Sequence, residues 1–237
     1  MSKIKYFLIT LLTATCCFSA VYAQKTVKPK VSKTPEKKSF NEKDLSNLQK
    51  NAEKQLEGIP YRLTTITEEF ADGKTIPTKY EKHISEELPP DRSRFITEKK
   101  TAKGIEREEF IKIGRERFIR ENNSEWKIFQ PTGRGMGSGS GSGDGSKVDY
   151  TEESYMLAGE MLNGQKTDRY ETIIRYTFTY SDRVEKRTIT EAHWFNQKGL
   201  LVKKLDEIND EAKKTISRTT EHYEYDVKLK IEKPIVK

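Results

Sequence analysis

RYETIIRYTFTY, residues 169–180, decides the fold class. Tyr170, Thr172, Ile174, Tyr176, Phe178 and Tyr180 fall on one parity. Glu171, Arg175, Thr177 and Thr179 fall on the other, with Ile173 the one apolar exception. Side chains alternate across a strand, so this spacing predicts a β-strand with one aromatic face and one polar face. The aromatic face is either sealed core or a surface that something else covers.

The same period recurs on both sides of that stretch. YRLTTITEEF (61–70), TKYEKHISEEL (78–88), RSRFITEKK (92–100), IEREEFIKI (105–113), RERFIRE (115–121) and EWKIF (125–129) read as strands. Turn signals separate them at Ala71–Lys74, Pro89–Asp91, Ala102–Gly104, Gly114 and Asn122-Asn123;. After a glycine-rich break come SYMLAGEML (154–162), Asn163-Gly164, the opening strand, VEKRTITEAHWF (184–195), LLVKKLDEI (200–208) and KKTISRTTEHYEYDV (213–227), with LKIEKPIVK closing the chain. The expected class is mainly β: about ten or eleven strands in one antiparallel up-and-down sheet, long enough to curl. Only 39–57 carries helical spacing. Ser39 or Asn41 can cap it, Leu45, Leu48, Ala52 and Leu56 form a stripe, and Gly58 and Pro60 stop it;. Apolar residues make up 33% of the chain, too few for a closed sandwich;. A curved sheet with the helix on or near its concave face needs about this much.

The first 23 residues stand apart. Lys3 and Lys5 precede an apolar run, and Val21-Tyr22-Ala23 has the small-x-small form of a cleavage site, which predicts an export signal cut before Gln24;. An uncleaved anchor is the alternative. Both cysteines lie inside this segment, so a processed chain has none, as suits a periplasmic or secreted protein held by its core alone;. That also removes thiol catalysis and Cys-ligated metals.

The net charge of +7 is unevenly placed. Residues 1–38 hold eight of the 44 Lys and Arg and one of the 37 Asp and Glu, leaving 36 of each sign in 39–237. A formally neutral domain with interleaved signs offers no stripe for phosphates, so nucleic acid is not expected as a partner. Residues 24–38, rich in Lys and Pro, read as a flexible tether;. Attraction to an anionic membrane surface is open to it, at about 1 kcal/mol per Lys.

Site motifs are missing. The glycines of PTGRGMGSGSGSGDGSK (131–147) all stand at odd positions, which rules out G-x-G-x-x-G, and Lys147 follows Ser146 where a P-loop needs Gly-Lys;. The stretch reads as a flexible loop. His83, His193 and His222 have no metal-binding spacing, and no nucleophile–base pattern stands out;. The expectation is therefore no enzyme, no cofactor and no metal.

EFIKIGRERFIRENNSEWKIF (109–129) resembles a run found in periplasmic proteins of the outer-membrane lipoprotein-sorting (LolA/LolB-like) group. MLAGEMLNGQKTDRYE (156–171) and YEYDVKLKIEKP (223–234) are similar to the same group, and the likeness spans about 40–235. The resemblance implies an incomplete β-barrel, 39–237 as one domain, whose concave aromatic face accepts acyl chains. Phe110, Phe118, Trp126, Tyr170, Ile174, Tyr176, Phe178 and Trp194 are the candidate ligand-binding residues. The competing role for these side chains is ordinary packing against the Leu45–Leu56 stripe. The function this suggests is a monomeric periplasmic carrier of lipid, lipoprotein acyl chains or another hydrophobic ligand, with a membrane surface or an envelope protein as further partners. The alternative is an envelope interaction or sensing module with a sealed core.

Overall fold

The computed structural model describes residues 37–130 and 147–236. The expected signal segment, the tether through residue 36 and the glycine-rich stretch 131–146 lie outside the described residues. Among the described residues a single helix, α1 (Glu42–Leu56), starts where Asn41 caps it: the Asn41 side chain accepts from the Lys43 N–H at 2.9 Å. Glu42 and Asp44 in its first turn suit the positive end of the helix dipole;. Ala52 is buried and Leu45, Leu48 and Leu56 are half-buried, so the apolar stripe marks the packed side as expected.

Twelve antiparallel strands form one open sheet: β1 (Lys37–Lys38), β2 (Tyr61–Ala71), β3 (Lys79–Leu88), β4 (Arg92–Thr101), β5 (Gly104–Ile113), β6 (Glu116–Glu121), β7 (Lys127–Ile128), β8 (Lys147–Leu162), β9 (Gln165–Thr179), β10 (Val184–Asn196), β11 (Leu201–Asp210) and β12 (Thr215–Tyr225). The two strands beyond the ten long ones are two-residue pieces at its margins. Lys37–Lys38, the end of the expected tether, pairs with Leu157 and Met156, and EWKIF keeps only Lys127–Ile128 in the ladder. LKIEKPIVK is not a strand at all. The spatial order is β1-β8-β9-β10-β11-β12-β2-β3-β4-β5-β6-β7. Two sequential meanders are thus joined where the last long strand, β12, pairs with β2 from Tyr225↔Tyr61 to Thr215↔Ala71. The sheet does not close, in keeping with an incomplete barrel.

Local chemistry sets the hairpins. Asn163 and Gly164 both have positive φ (49° and 79°) and form the two-residue loop between the paired Leu162 and Gln165, as a type I′ turn requires;. Gly159, at φ +76°, lies where the β8 register shifts between Leu157 and Glu160, and its N–H donates to Asp168 Oδ1 at 2.9 Å;.

Residues directly opposite in an antiparallel ladder share a face. Following the register from β10 in both directions separates the sheet into two faces of different chemistry. On one, Gln49 of α1 meets His193; this is the helix-bearing face. On the other, charged side chains interlock and the C-terminal segment packs across one end.

Candidate functional site

Tyr170, Thr172, Ile174, Tyr176 and Phe178 share the helix-bearing face, paired in turn with His193, Glu191, Ile189, Arg187 and Glu185 of β10. The aromatics there gather in four groups. Beside α1, Phe40 and Phe195 meet Tyr170 edge-on, with ring centroids 5.3 and 5.7 Å away. At the β8 margin Tyr150, Tyr176 and Phe178 stack in series at 5.9 Å. Where the two meanders join, Tyr223 and Tyr225 stack beside Tyr61. Toward the other margin Phe95, Phe110 and Phe129 pack in a row at 6.0 and 5.7 Å.

The two groups at the sheet margins are the most open. Tyr150 is 64% exposed and Phe95 41%, while Tyr170, Ile174, Tyr176, Phe178 and Phe110 are half-buried. α1 meets this face at His193 through Gln49, and Phe40 just before the helix packs on Tyr170. Two cavities, of about 100 and 410 Å³, lie at strand ends: Lys166, Thr167, Asp168 and Gln197 line one, and Thr97, Lys99, Glu106, Glu108 and Glu121 line most of the other. No aromatic residue lines either of these two cavities.

His193 is 3% exposed and lies 3.1 Å from Gln49 Nε2 through its Nε2. Its Nδ1 has no hydrogen-bond partner among the described residues. Burial, reinforced by Lys204 and opposed by Asp206, pulls its pKa down to about 4, so the ring is neutral at pH 7;. Burial also raises the Tyr223 and Tyr225 hydroxyls, and Glu221 adds to the effect at Tyr223. Among the described residues no group of three or more His, Cys, Asp or Glu has the arrangement of a metal site.

The eight candidates from the sequence therefore divide. Tyr170, Ile174, Tyr176, Phe178 and Phe110 share the helix-bearing face. Phe118, Trp126 and Trp194 do not join them, which corrects the expectation of a single concave set. Phe118 is 2% exposed in a cluster with Ile111 and Ile231, and Trp126 packs against that cluster beneath the Arg120 guanidinium. Ile231 is brought there by the C-terminal segment, held by Arg92 Nη1 donating to its carbonyl at 3.1 Å. Trp194 is buried on the ion-pair face, its indole N–H donating to Glu160 Oε2 at 3.0 Å, with Arg169 and Lys203 against its ring. Parity along single strands could have placed Trp194, since it is odd to His193. Phe95, Phe195, Tyr223 and Tyr225 went unselected because their face is set by long-range register.

The ion-pair face is built from charges. Glu86, 2% exposed, lies 2.8 Å from Arg62 and 2.6 Å from Arg94. Glu109, 4% exposed, takes Arg120 at 2.6 Å, with Arg94 and Arg107 at 3.9 Å. Arg107 also holds Glu98 at 2.6 Å. Farther along, buried Glu171 accepts from the Tyr155 hydroxyl and pairs with Arg169.

No family model matches the sequence, and no curated protein matches it. Three solved structures are similar to the chain. LprF from Mycobacterium bovis matches at 11% identity over 83% of this chain and 99% of its own, with a TM-score of 0.41. A domain described as an outer-membrane lipoprotein-sorting protein from Vibrio parahaemolyticus matches at 13% over 78% and 93%, with a TM-score of 0.28. The protein NE2245 of the LolA superfamily, from Nitrosomonas europaea, matches at 12% over 76% and 90%, with a TM-score of 0.24.

Proposed function

We propose that the protein is a non-catalytic carrier or binding protein of the cell envelope, exported by its N-terminal segment. Its ligand is a lipid, the acyl chains of a lipoprotein, or another hydrophobic molecule. The supporting observation is the incomplete cover of the helix-bearing face. Four aromatic groups lie on one surface of an open sheet, α1 shelters one of them, and Tyr150, Phe95 and Phe129 stay 64, 41 and 37% exposed. Aromatic surface exposed at both margins of this face supports an apolar ligand binding there;. Tyr170, Ile174, Tyr176, Phe178 and Phe110 are the residues we assign to it. Each buried methylene is worth about 0.8 kcal/mol, so a sixteen-carbon chain grosses roughly 12 kcal/mol. After association costs, micromolar affinity, about −8 kcal/mol, is within reach without a charged anchor.

Native mass spectrometry of protein isolated from the envelope without detergent tests this, followed by organic extraction. A reproducible lipid adduct that extraction removes supports it. A clean apo mass together with no uptake of an added fatty-acyl probe overturns it.

A further inference from the structure

β8 is the longest strand of the sheet, at 16 residues, and it lies next to the margin. Its inner side pairs with β9 from Lys147↔Thr179 to Leu162↔Gln165. On its outer side, among the described residues, only Leu157 and Met156 are paired, with Lys37 and Lys38. Among the described residues, KVDYTEESY (147–155) therefore presents a row of unpaired backbone donors and acceptors. Exposed margins are ordinarily blunted by charged side chains, proline, a bulge or short length, and here Lys147, Asp149, Glu152 and Glu153 supply charge of both signs that a second copy can match;. This stretch has no proline, and the β8 bulge lies beyond it, after Leu157. Val148 and Tyr150 are 45 and 64% exposed beside this margin, continuous with the Tyr176–Phe178 stack.

We infer that this margin joins a second copy of the same chain, β8 against β8, into a two-fold dimer with a continuous sheet. A two-fold axis normal to the sheet runs the strands antiparallel and keeps the helix-bearing faces on one side, so residues of equal parity face each other. Charge then selects the register. With Tyr150 on the axis, Lys147 faces the partner's Glu153 twice, Val148 faces the partner's Glu152, and Asp149 faces the partner's Thr151. Centring on Thr151 sets Asp149 against the partner's Glu153. Centring on Asp149 or on Glu152 sets that acid against its own copy. Like charges directly opposite are destabilising, so of these four registers only the one centred on Tyr150 avoids that cost, and it pairs residues 147–153, where centring on Val148 would pair only residues 147–149 of the described margin;. It also brings the two Tyr150–Tyr176–Phe178 stacks together. The interface departs from the monomer that the sequence led us to expect, and it does not depend on what the aromatic face binds.

The experiment combines sedimentation velocity with cysteine cross-linking of the full chain, in a background with Cys16 and Cys17 replaced by serine. A concentration-dependent dimer is expected. Lys147→Glu should weaken it at least tenfold, about 1.4 kcal/mol. Tyr150→Cys should form a disulfide-linked dimer on mild oxidation, while Thr151→Cys, one residue off the axis, should not. Both cysteine positions are exposed, so folding is not at stake in that comparison. A monomer up to the solubility limit overturns the inference. So does equal cross-linking at the two positions, a dimer indifferent to Lys147→Glu, or a foreign strand co-purifying on the margin in place of a second copy.

Discussion

The two faces of one sheet solve the same problem in opposite ways. On the ion-pair face, side chains that would be costly to bury alone are matched. Glu86 and Glu109 each meet two or more arginines, the indole N–H of Trp194 meets Glu160, and Ile231 from the C-terminal segment seals Phe118 and Ile111. On the helix-bearing face the aromatic side chains touch one another in small groups, and much of the surface between them has no cover. Exposed apolar side chains stand on both faces, Ile105, Ile128 and Val184 on the ion-pair face and Tyr150, Phe95 and Phe129 on the helix-bearing one, but only the second set is aromatic and grouped. Polar satisfaction within the chain belongs to stability, and unsatisfied apolar area belongs to binding.

Substitutions on the two faces should therefore separate stability from binding. The largest stability effect is expected at Phe118→Ala, about 3–5 kcal/mol in urea denaturation, because its cavity opens in a sealed cluster;. Tyr176→Ala on the other face should cost less than about 1 kcal/mol of stability, yet weaken uptake of a fatty-acyl probe roughly tenfold. Equal stability losses at the two positions would erase the distinction between the faces. Next comes Glu109→Ala, which leaves Arg120, Arg94 and Arg107 without their shared carboxylate. These arginines are about one-third exposed, so water softens the loss to about 2–3 kcal/mol, with no change in probe binding;.

His193 sharpens the comparison through pH. Its folded pKa of about 4 lies below the ordinary 6.5, so the unfolded chain takes up a proton first as pH falls. Its contribution is intact above pH 6.5 and is lost progressively down to about pH 4, by roughly 2–3 kcal/mol;. Denaturation midpoints of the wild type and His193→Gln between pH 7 and 4 should show the slope removed in the variant. A wild-type slope that persists unchanged in His193→Gln would mean that other groups titrate there. The smallest effect belongs to Lys79→Ala, which removes an exposed pair with Glu69; less than about 0.5 kcal/mol is expected by the same assay;.

Much of the fold was legible because its signals are local. Period two marked the ten long strands, except that it marked β8 only from Ser154; its first seven residues, from Lys147 in the expected loop onward, were missed. Asn163-Gly164 and Gly114 marked hairpins, and Asn41 with the Leu45–Leu56 stripe marked the helix and its packed side. The stretches on which the resemblance to the lipoprotein-sorting group rests turn out to carry turn chemistry: Gly159 at the bulge, Asn163-Gly164 in the tight turn, Gly114 between β5 and β6. What stayed hidden is non-local. Pairing of β12 with β2 joins residues some 150 positions apart, and only that register shows that Tyr223 and Phe95 look toward the helix. Phe118 and Trp126 were misplaced because nothing local announces that Ile231 will cover them. Trp194 reads as an anchor only once Glu160 is brought across from β8.

The most direct test of the central claim is photocross-linking with a fatty acid bearing a diazirine near its methyl end, mapped to residues by mass spectrometry. Adducts concentrated at Tyr170, Ile174, Tyr176, Phe178 and Phe110, with none at Phe118, Trp126 or Trp194, are the expected result. Adducts on the ion-pair face, or labelling spread evenly over both, would contradict the assignment of the helix-bearing face as the one that holds the ligand.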